Sequence, residues 1–230
     1  ILEGTFKGTF NLIDMPKTLK QHINQYYVLS DSTLQKFTTP QQFKFDLKLK
    51  NTALLTKVLL PELTSFVPGK ISGAFDSEKQ LLNLHIDIAK TTYGAVGVNS
   101  LAVDVESDPQ ALYYKVLVQD ATIDSLRIHE IQWNGKLANN LHETDFIVLD
   151  SAQQEKYVFS ATSNSIPEGF TIQLVPEKLL LNYEQWKIHN DNSIVIEEKS
   201  FSTTHFTLSK NQQQLSILSN PEHSTLEFTF

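Results

Sequence analysis

Apolar and polar residues alternate along most of this chain, and the alternation limits what it can fold into. Residues 43–50 read Phe-Lys-Phe-Asp-Leu-Lys-Leu-Lys, and residues 82–88 and 112–118 follow the same rule. A period of two places apolar side chains on one face of a β-strand and polar side chains on the other. The chain therefore predicts a long sheet with one apolar face and one solvated face.

Turn residues divide the alternating pattern into many short strands. Turns are predicted at Asp76-Ser77, Ser107-Asp108-Pro109, Asn134-Gly135, Pro167-Glu168-Gly169 and residues 190–192. Connections of hairpin length favour antiparallel pairing. The predicted fold class is all-β, a curled and mostly antiparallel sheet with one or two short helices. The predicted strands are residues 1–12, 43–49, 71–75, 81–88, 93–98, 101–105, 112–118, 123–128, 131–137, 145–149, 157–161, 170–175, 178–183, 186–188, 193–197, 206–208, 215–218 and 226–230.

Two segments depart from the strand pattern. Leu54, Leu55, Val58 and Leu59 are spaced for one face of a helix, which predicts a short helix within residues 52–63. Residues 16–27 fit either a helix or a strand, because the apolar spacing suits a helix while the aromatic end suits a strand.

Composition narrows the function classes. The 230 residues suffice for one large or two small domains. A net charge of −7 with a single arginine, Arg127, argues against nucleic acid, which needs clustered cations. The absence of cysteine excludes disulfides, thiolate zinc sites and a cysteine nucleophile. No apolar run reaches the roughly twenty residues of a membrane helix, and we interpret residues 1–230 as an internal piece of a longer protein.

No motif for catalysis is present. The chain has no nucleophile elbow and no phosphate loop. Its seven histidines stand singly, without metal-site spacing, and are interpreted as solvated surface residues: His22, His85, His129, His142, His189, His205 and His223. Carboxylates that could serve a glycosidase lie on the polar side of the alternation and are explained by a solvated face: Asp46, Asp87, Asp104, Glu106 and Asp124. The sequence therefore predicts neither an enzyme nor a cofactor or metal.

Three segments resemble a known family. Residues 43–63 give a strand and a short helix ending Leu-Leu-Pro-Glu-Leu. Residues 69–103 begin with a strand that contains two glycines, Gly69 and Gly73. Residues 179–188 read Leu-Leu-Leu-Asn-Tyr-Glu-Gln-Trp-Lys-Ile and continue into Asn-Asp-Asn-Ser-Ile-Val-Ile at 190–196. Their order over residues 43–219 resembles the TamB (translocation and assembly module) branch of the AsmA-like envelope proteins, in the form found in Bacteroidetes-type bacteria. Residues 1–40 lie outside this resemblance.

The resemblance implies a function without catalysis. Residues 1–230 would be one elongated β-rich segment of a larger periplasmic protein, anchored in the inner membrane outside this stretch. The sheet would curl into an open, taco-like groove for phospholipid acyl chains, continued by neighbouring segments of the same chain. A C-terminal domain outside this stretch would bind an outer-membrane assembly partner. The expected lining residues are Phe43, Phe45, Leu47, Leu49, Leu82, Leu84, Ile86, Ile88, Val103, Tyr114, Val116, Val118, Trp133 and Trp186.

Alternation is compatible with two other readings. A closed β-sandwich that serves as an envelope binding or adhesion module would also bury one face of each strand. An open groove could alternatively act as a chaperone whose sheet edge pairs with client strands. The sequence leaves these alternatives open.

Overall fold

A computed structural model describes residues 2–29, 40–49, 62–67, 69–198, 200–220 and 225–229. Within these ranges the chain forms eighteen strands and one helix, which confirms the all-β fold class. The elements are β1 (Leu2–Thr9), α1 (Met15–Asn24), β2 (Gln42–Leu49), β3 (Leu63–Val67), β4 (Lys70–Asp76), β5 (Leu81–Tyr93), β6 (Val96–Ser107), β7 (Leu112–Ile123), β8 (Leu126–Ile128), β9 (Glu130–Ala138), β10 (Leu141–Leu149), β11 (Glu155–Ile166), β12 (Gly169–Leu181), β13 (Glu184–Gln185), β14 (Ser193–Glu197), β15 (Phe201–Thr204), β16 (Thr207–Lys210), β17 (Gln213–Asn220) and β18 (Thr225–Thr229).

Most strands belong to one large antiparallel sheet. Its fifteen strands follow the order β1-β2-β4-β5-β6-β7-β9-β10-β11-β12-β14-β15, while β3, β8 and β13 attach beside that path. A second sheet contains β16, β17 and β18. In the described part of the chain the large sheet does not close, because β1 and β15 remain at its two ends.

The pairing register brings the apolar residues of successive strands into line. Directly opposed residues in an antiparallel ladder lie on the same face of the sheet. One row of directly paired residues crosses eight strands and is apolar at every position: Ile71, Ile86, Val103, Val116, Trp133, Phe146, Phe159 and Leu179. We call the face that carries this row the apolar face.

Helix α1 resolves the ambiguity of residues 16–27 in favour of a helix, with Pro16 in its first turn, where its missing N–H costs nothing. His22 on this helix is 2% exposed, and its ring lies 5.2 Å from that of Phe75, centroid to centroid. After the helix, the Tyr26 hydroxyl donates to the carbonyl of Asp108 at 2.7 Å, and the amide of Asn140 donates to the carbonyl of Tyr26 at 2.7 Å. Residues 15–29, here called the end cap, thus span the turns at one end of the large sheet.

A compact cluster joins the two sheets at the other side of the molecule. Leu179 of β12 is 1% exposed and packs with the buried side chains of Ile188, Phe206 and Leu208. Trp186, Leu215 and Ile217 pack around this cluster. As far as its described side chains show, the three-stranded sheet therefore covers the last part of the apolar face.

Several predicted turns and strand limits are wrong. Asn134-Gly135 lies inside β9, and the chain turns instead at Asn139 and Asn140, whose φ angles of 53° and 61° suit a two-residue hairpin loop. The predicted strand over 93–98 is interrupted by Gly94 at φ 56°. The predicted strand over 123–128 is broken at Asp124, which has φ 52°. Periodicity alone does not reveal such left-handed residues.

The predicted strands near the C-terminal half also change. Residues 170–175 and 178–181 belong to one strand, β12, with an irregular pairing between Phe159 and Ala161 that accommodates Pro176. The predicted strand over 178–183 ends at Leu181, because Asn182 and Tyr183 form a turn with φ angles of 52° and 68°. Residues 186–188 contribute a single bridge, from Lys187 to Ser209, rather than a strand. Most of the predicted helix over 52–63 lies outside the described residues, and its last residue, Leu63, begins β3 instead.

Candidate functional site: the apolar face

The predicted lining residues fall on one face of the sheet. The register aligns Phe45 with Gly73 and Leu84, and carries that row to Val105 and Tyr114. Twelve of the fourteen predicted residues share the apolar face: Phe43, Phe45, Leu47, Leu82, Leu84, Ile86, Ile88, Val103, Tyr114, Val116, Val118 and Trp133. Lys48, Asp87 and Asp104, predicted to face solvent, are exposed on the opposite face.

Two predicted lining residues differ. The side chain of Leu49 lies outside the part of the chain that the structure describes, although its backbone pairs with Leu2. Trp186 is not on a strand and packs against the cluster of Leu179, Ile188 and Phe206. Trp186 is therefore corrected from groove lining to core packing, because the second sheet covers this part of the apolar face.

The middle of the apolar face is only partly covered. Leu84, Ile86, Val103 and Val116 are half-buried by their neighbours in the same sheet, and Trp133 is 43% exposed. Residues of a packed core are usually almost fully inaccessible. Among the described residues no second layer lies over this central region, so it forms an open apolar surface between the end cap and the three-stranded sheet.

The end cap closes one end of this surface. Phe43, Phe75 and Leu112 lie at that end and are 3%, 2% and 4% exposed, respectively. The His22 ring on the cap stands edge-on to Phe75, and its Nε2 lies 2.8 Å from the Ser107 hydroxyl. The apolar face thus has a sealed end and an open middle.

A cleft lies where the cap meets the sheet. It has a volume of about 1130 Å³ and runs between Tyr27, Val28 and Leu29 of the cap and strands β10, β11, β12 and β14. Val28 and Leu29 are 38% and 55% exposed, so they present apolar surface next to the sheet. The volume is close to the upper end of the roughly 300–1,000 Å³ common for small-molecule sites.

Polar groups on the apolar face satisfy one another. The Tyr114 hydroxyl lies 2.8 Å from Nε2 of His142 and 3.0 Å from the Thr144 hydroxyl, to which the Trp133 indole N–H also donates at 2.8 Å. Burial raises the pKa of Tyr114 and lowers the pKa of His142. Both side chains are therefore neutral at pH 7, and the group adds hydrogen bonds to the face without adding charge.

Gly135 makes room for the Tyr114 ring, which lies directly across the ladder. A Cβ at Gly135 would come within 2.4 Å of ring atoms of Tyr114. We expect Gly135→Ala to lower the free energy of unfolding by about 1 kcal/mol, because the hydrogen-bonded ring must move. Chemical denaturation measures this. In a Tyr114→Val background the same glycine substitution should cost almost nothing, and an equal loss in both backgrounds would contradict the steric cause.

The opposite face carries paired charged and polar side chains. Lys70 lies 2.9 Å from Asp46, His85 lies 2.6 Å from Asp104, and Lys178 lies 3.1 Å from Asp145. All six side chains are at least 43% exposed, so each pair contributes little to stability. The opposite face is therefore an ordinary solvated surface. The apolar face is the surface of this sheet that calls for a functional explanation.

The interpretation of the seven histidines as single, solvated surface residues is wrong for four of them. His142 lies half-buried on the apolar face beside Tyr114, whereas His189 and His205 are exposed as predicted but do not stand singly. His22 is buried rather than solvated, and burial lowers its pKa to about 4. His189 and His205 converge on Asp191, and one ligand atom from each of these three residues lies within 4.8 Å of the others. The two-residue spacing of His189 and Asp191 is visible in the sequence and could have indicated a pair of ligands. His205 joins this pair only when the chain folds.

Helix α1, with ten residues, is too short to cross a membrane, and the described residues contain no helix long and apolar enough to do so. Searches against protein-family models, curated proteins and solved structures gave no match.

Proposed function

We propose that this chain is a non-enzymatic segment of a periplasmic envelope protein whose apolar face carries the acyl chains of phospholipids between membranes. The observation that supports this most is the row of eight directly paired apolar residues running across the strands, half-covered at its centre. The far end of the row is covered, because Leu179 is buried in the cluster between the two sheets and Phe159 packs against it. The six strands from Ile71 to Phe146, spaced by about 4.8 Å, leave an apolar path of roughly 24 Å along the curved sheet. The path crosses the strands, as a lipid conduit requires.

The energetics favour apolar cargo. Moving an acyl chain through water costs about 0.8 kcal/mol for each exposed methylene, which a continuous apolar surface largely removes. A phospholipid head group can remain in solvent beside the open face, so no charged binding site is required. The neutral network of Tyr114, His142 and Thr144 offers hydrogen bonds close to the cap without an unpaired charge.

The resemblance to the TamB branch extends the proposal. Neighbouring segments of the same chain would lengthen the groove, and a C-terminal domain would meet an outer-membrane assembly partner. A membrane anchor outside residues 1–230 would hold the protein to the inner membrane. In this proposal the segment contributes one stretch of a longer path.

The two rival functions receive less support. A closed sandwich needs a second sheet over the apolar face, but among the described side chains the three-stranded sheet packs near Leu179 and not over the centre of that face. An edge-pairing chaperone would use β1 or β15, and no feature of the described edges favours a client strand over solvent. The open centre of the apolar face is why the lipid conduit is preferred.

The proposal predicts lipid bound to the purified protein. We expect detergent-free preparations to release diacyl phospholipid on extraction with organic solvent, as detected by mass spectrometry. The Val116→Asp variant, which places a charge in the middle of the apolar face, should release at least about tenfold less, because a carboxylate next to an acyl chain costs more than about 1.4 kcal/mol. Protein without lipid, or equal lipid in both proteins, would contradict the proposal.

A further inference from the structure

Three potential metal ligands meet at the junction of the two sheets. His189 precedes the turn at Asn190 and Asp191 that leads into β14, whereas His205 lies between β15 and β16. β14 and β15 belong to the large sheet, and β16 belongs to the three-stranded sheet. The three side chains therefore meet where the chain passes from one sheet to the other.

The side chains are arranged around one carboxylate. One oxygen of Asp191 contacts Nδ1 of His189, and the other lies 2.9 Å from Nδ1 of His205. The two imidazole rings are 4.9 Å apart between centroids, at an angle of 41°. Ligand atoms around a tetrahedral zinc ion, bound at about 2.0–2.2 Å, are separated by roughly 3.3 Å. A small closure of the three side chains would therefore suffice to hold an ion.

The backbone beneath the three ligands is held in place. Asn192 is fully buried. Its side-chain Nδ2 donates to the backbone carbonyls of Leu174 and His189 at 2.9 and 2.7 Å. Its side-chain Oδ1 accepts from the backbone N–H of Leu174 at 2.9 Å. The amide of Thr207 donates to the carbonyl of His205 at 3.0 Å. The ligands thus stand on ordered backbone, which reduces the entropy lost when an ion binds.

We propose that His189, Asp191 and His205 form a binding site for a divalent transition-metal ion such as Zn²⁺. Two imidazoles and one carboxylate make a donor set that suits zinc and its neighbours, and that suits Mg²⁺ or Ca²⁺ poorly. All three residues are exposed, so an ion can enter from solvent and complete its coordination with water. The bound ion links the turn before β14 to the segment that joins β15 of the large sheet to β16 of the three-stranded sheet.

The carboxylate is ready to bind. Asp191 is exposed, and an exposed aspartate is ionised at neutral pH, as a metal ligand must be. The site does not depend on the proposed lipid function, because it lies among turns rather than among the half-buried residues of the apolar face.

The test is metal titration of the full chain, with no affinity tag and after treatment with chelator. Isothermal calorimetry should find one equivalent of Zn²⁺, and the ion should raise the melting temperature, because it binds only the folded chain. Mg²⁺ at the same concentration should do neither. His205→Gln and Asp191→Asn should each weaken zinc binding by at least tenfold and abolish the thermal shift, while the metal-free proteins melt like the wild type.

His85→Gln is the matched control. His85 and Asp104 also form an exposed pair, 2.6 Å apart, but they form no three-ligand group with a further His, Cys, Asp or Glu among the described residues. This variant should bind zinc like the wild type. Zinc binding that survives His205→Gln, or that falls equally in His85→Gln, would overturn the site, since it would reflect scattered surface histidines. Absence of zinc binding by the wild type would show that the three residues are only a hydrogen-bonded cluster.

Discussion

The Leu84→Asp variant is expected to keep its stability and to lose lipid, whereas Leu179→Asp is expected to be strongly destabilised. Leu84 lies half-buried on the apolar face, where water can reach a new carboxylate. Leu179 is 1% exposed within the cluster of Ile188, Phe206 and Leu208, where an unpaired charge costs about 4 kcal/mol or more. In a chain of this size that loss lowers the melting temperature by about 10 °C or more.

Melting temperature and bound phospholipid are measured on the same preparations. Leu84→Asp should melt within about 4 °C of the wild type and retain less than a tenth of its lipid. Ala74→Asp is the matched control, because it introduces the same charge on the opposite face of the neighbouring strand, where Ala74 pairs with Lys44 and Asn83. It should keep both stability and lipid. Unfolding of both Leu84→Asp and Val116→Asp would support a sealed core and would end the conduit proposal for this segment.

Acid is expected to destabilise the protein through His22. Burial lowers the pKa of His22 from 6.5 to about 4, so the neutral ring is favoured in the folded chain. Between these two values the unfolded chain binds more protons, and stability therefore falls as the pH drops from about 6.5 to about 4. We expect a loss of about 2 kcal/mol, which is less than the full equivalent of the shift because the surrounding residues can rearrange around a protonated ring.

The His22→Phe variant tests this origin. The His22 ring contacts Tyr26 and Phe75 edge-on, and a phenyl ring can occupy the same space. Nδ1 of His22 is buried without a hydrogen-bond partner among the described residues, so its removal leaves little unpaired. Denaturation at a series of pH values should show a flatter acid limb for His22→Phe than for the wild type. Some slope should remain, because burial also lowers the pKa of His142. An acid limb as steep as that of the wild type would rule out His22 as the main cause.

Strand periodicity was sufficient for the fold class and for most of the apolar face. The alternation at residues 43–49, 82–88 and 112–118 correctly assigned each apolar residue to one side of its strand, because the period of two is a local property. Turn positions were harder to predict. Gly135 looked like part of a turn, but the space it leaves is filled by the Tyr114 ring from the neighbouring strand.

Contacts distant in sequence decided the rest. No local pattern shows that His22 forms a hydrogen bond with the Ser107 hydroxyl, which lies 85 residues away in the sequence. Nor does any local pattern show that the second sheet covers Trp186 and leaves Trp133 exposed. The meeting of His189, Asp191 and His205 likewise depends on how β15 turns into β16. The sequence by itself determined which residues share a face, because alternation is fixed within each strand. Only the tertiary structure decided which part of that face is covered, because coverage depends on packing between segments far apart in the chain.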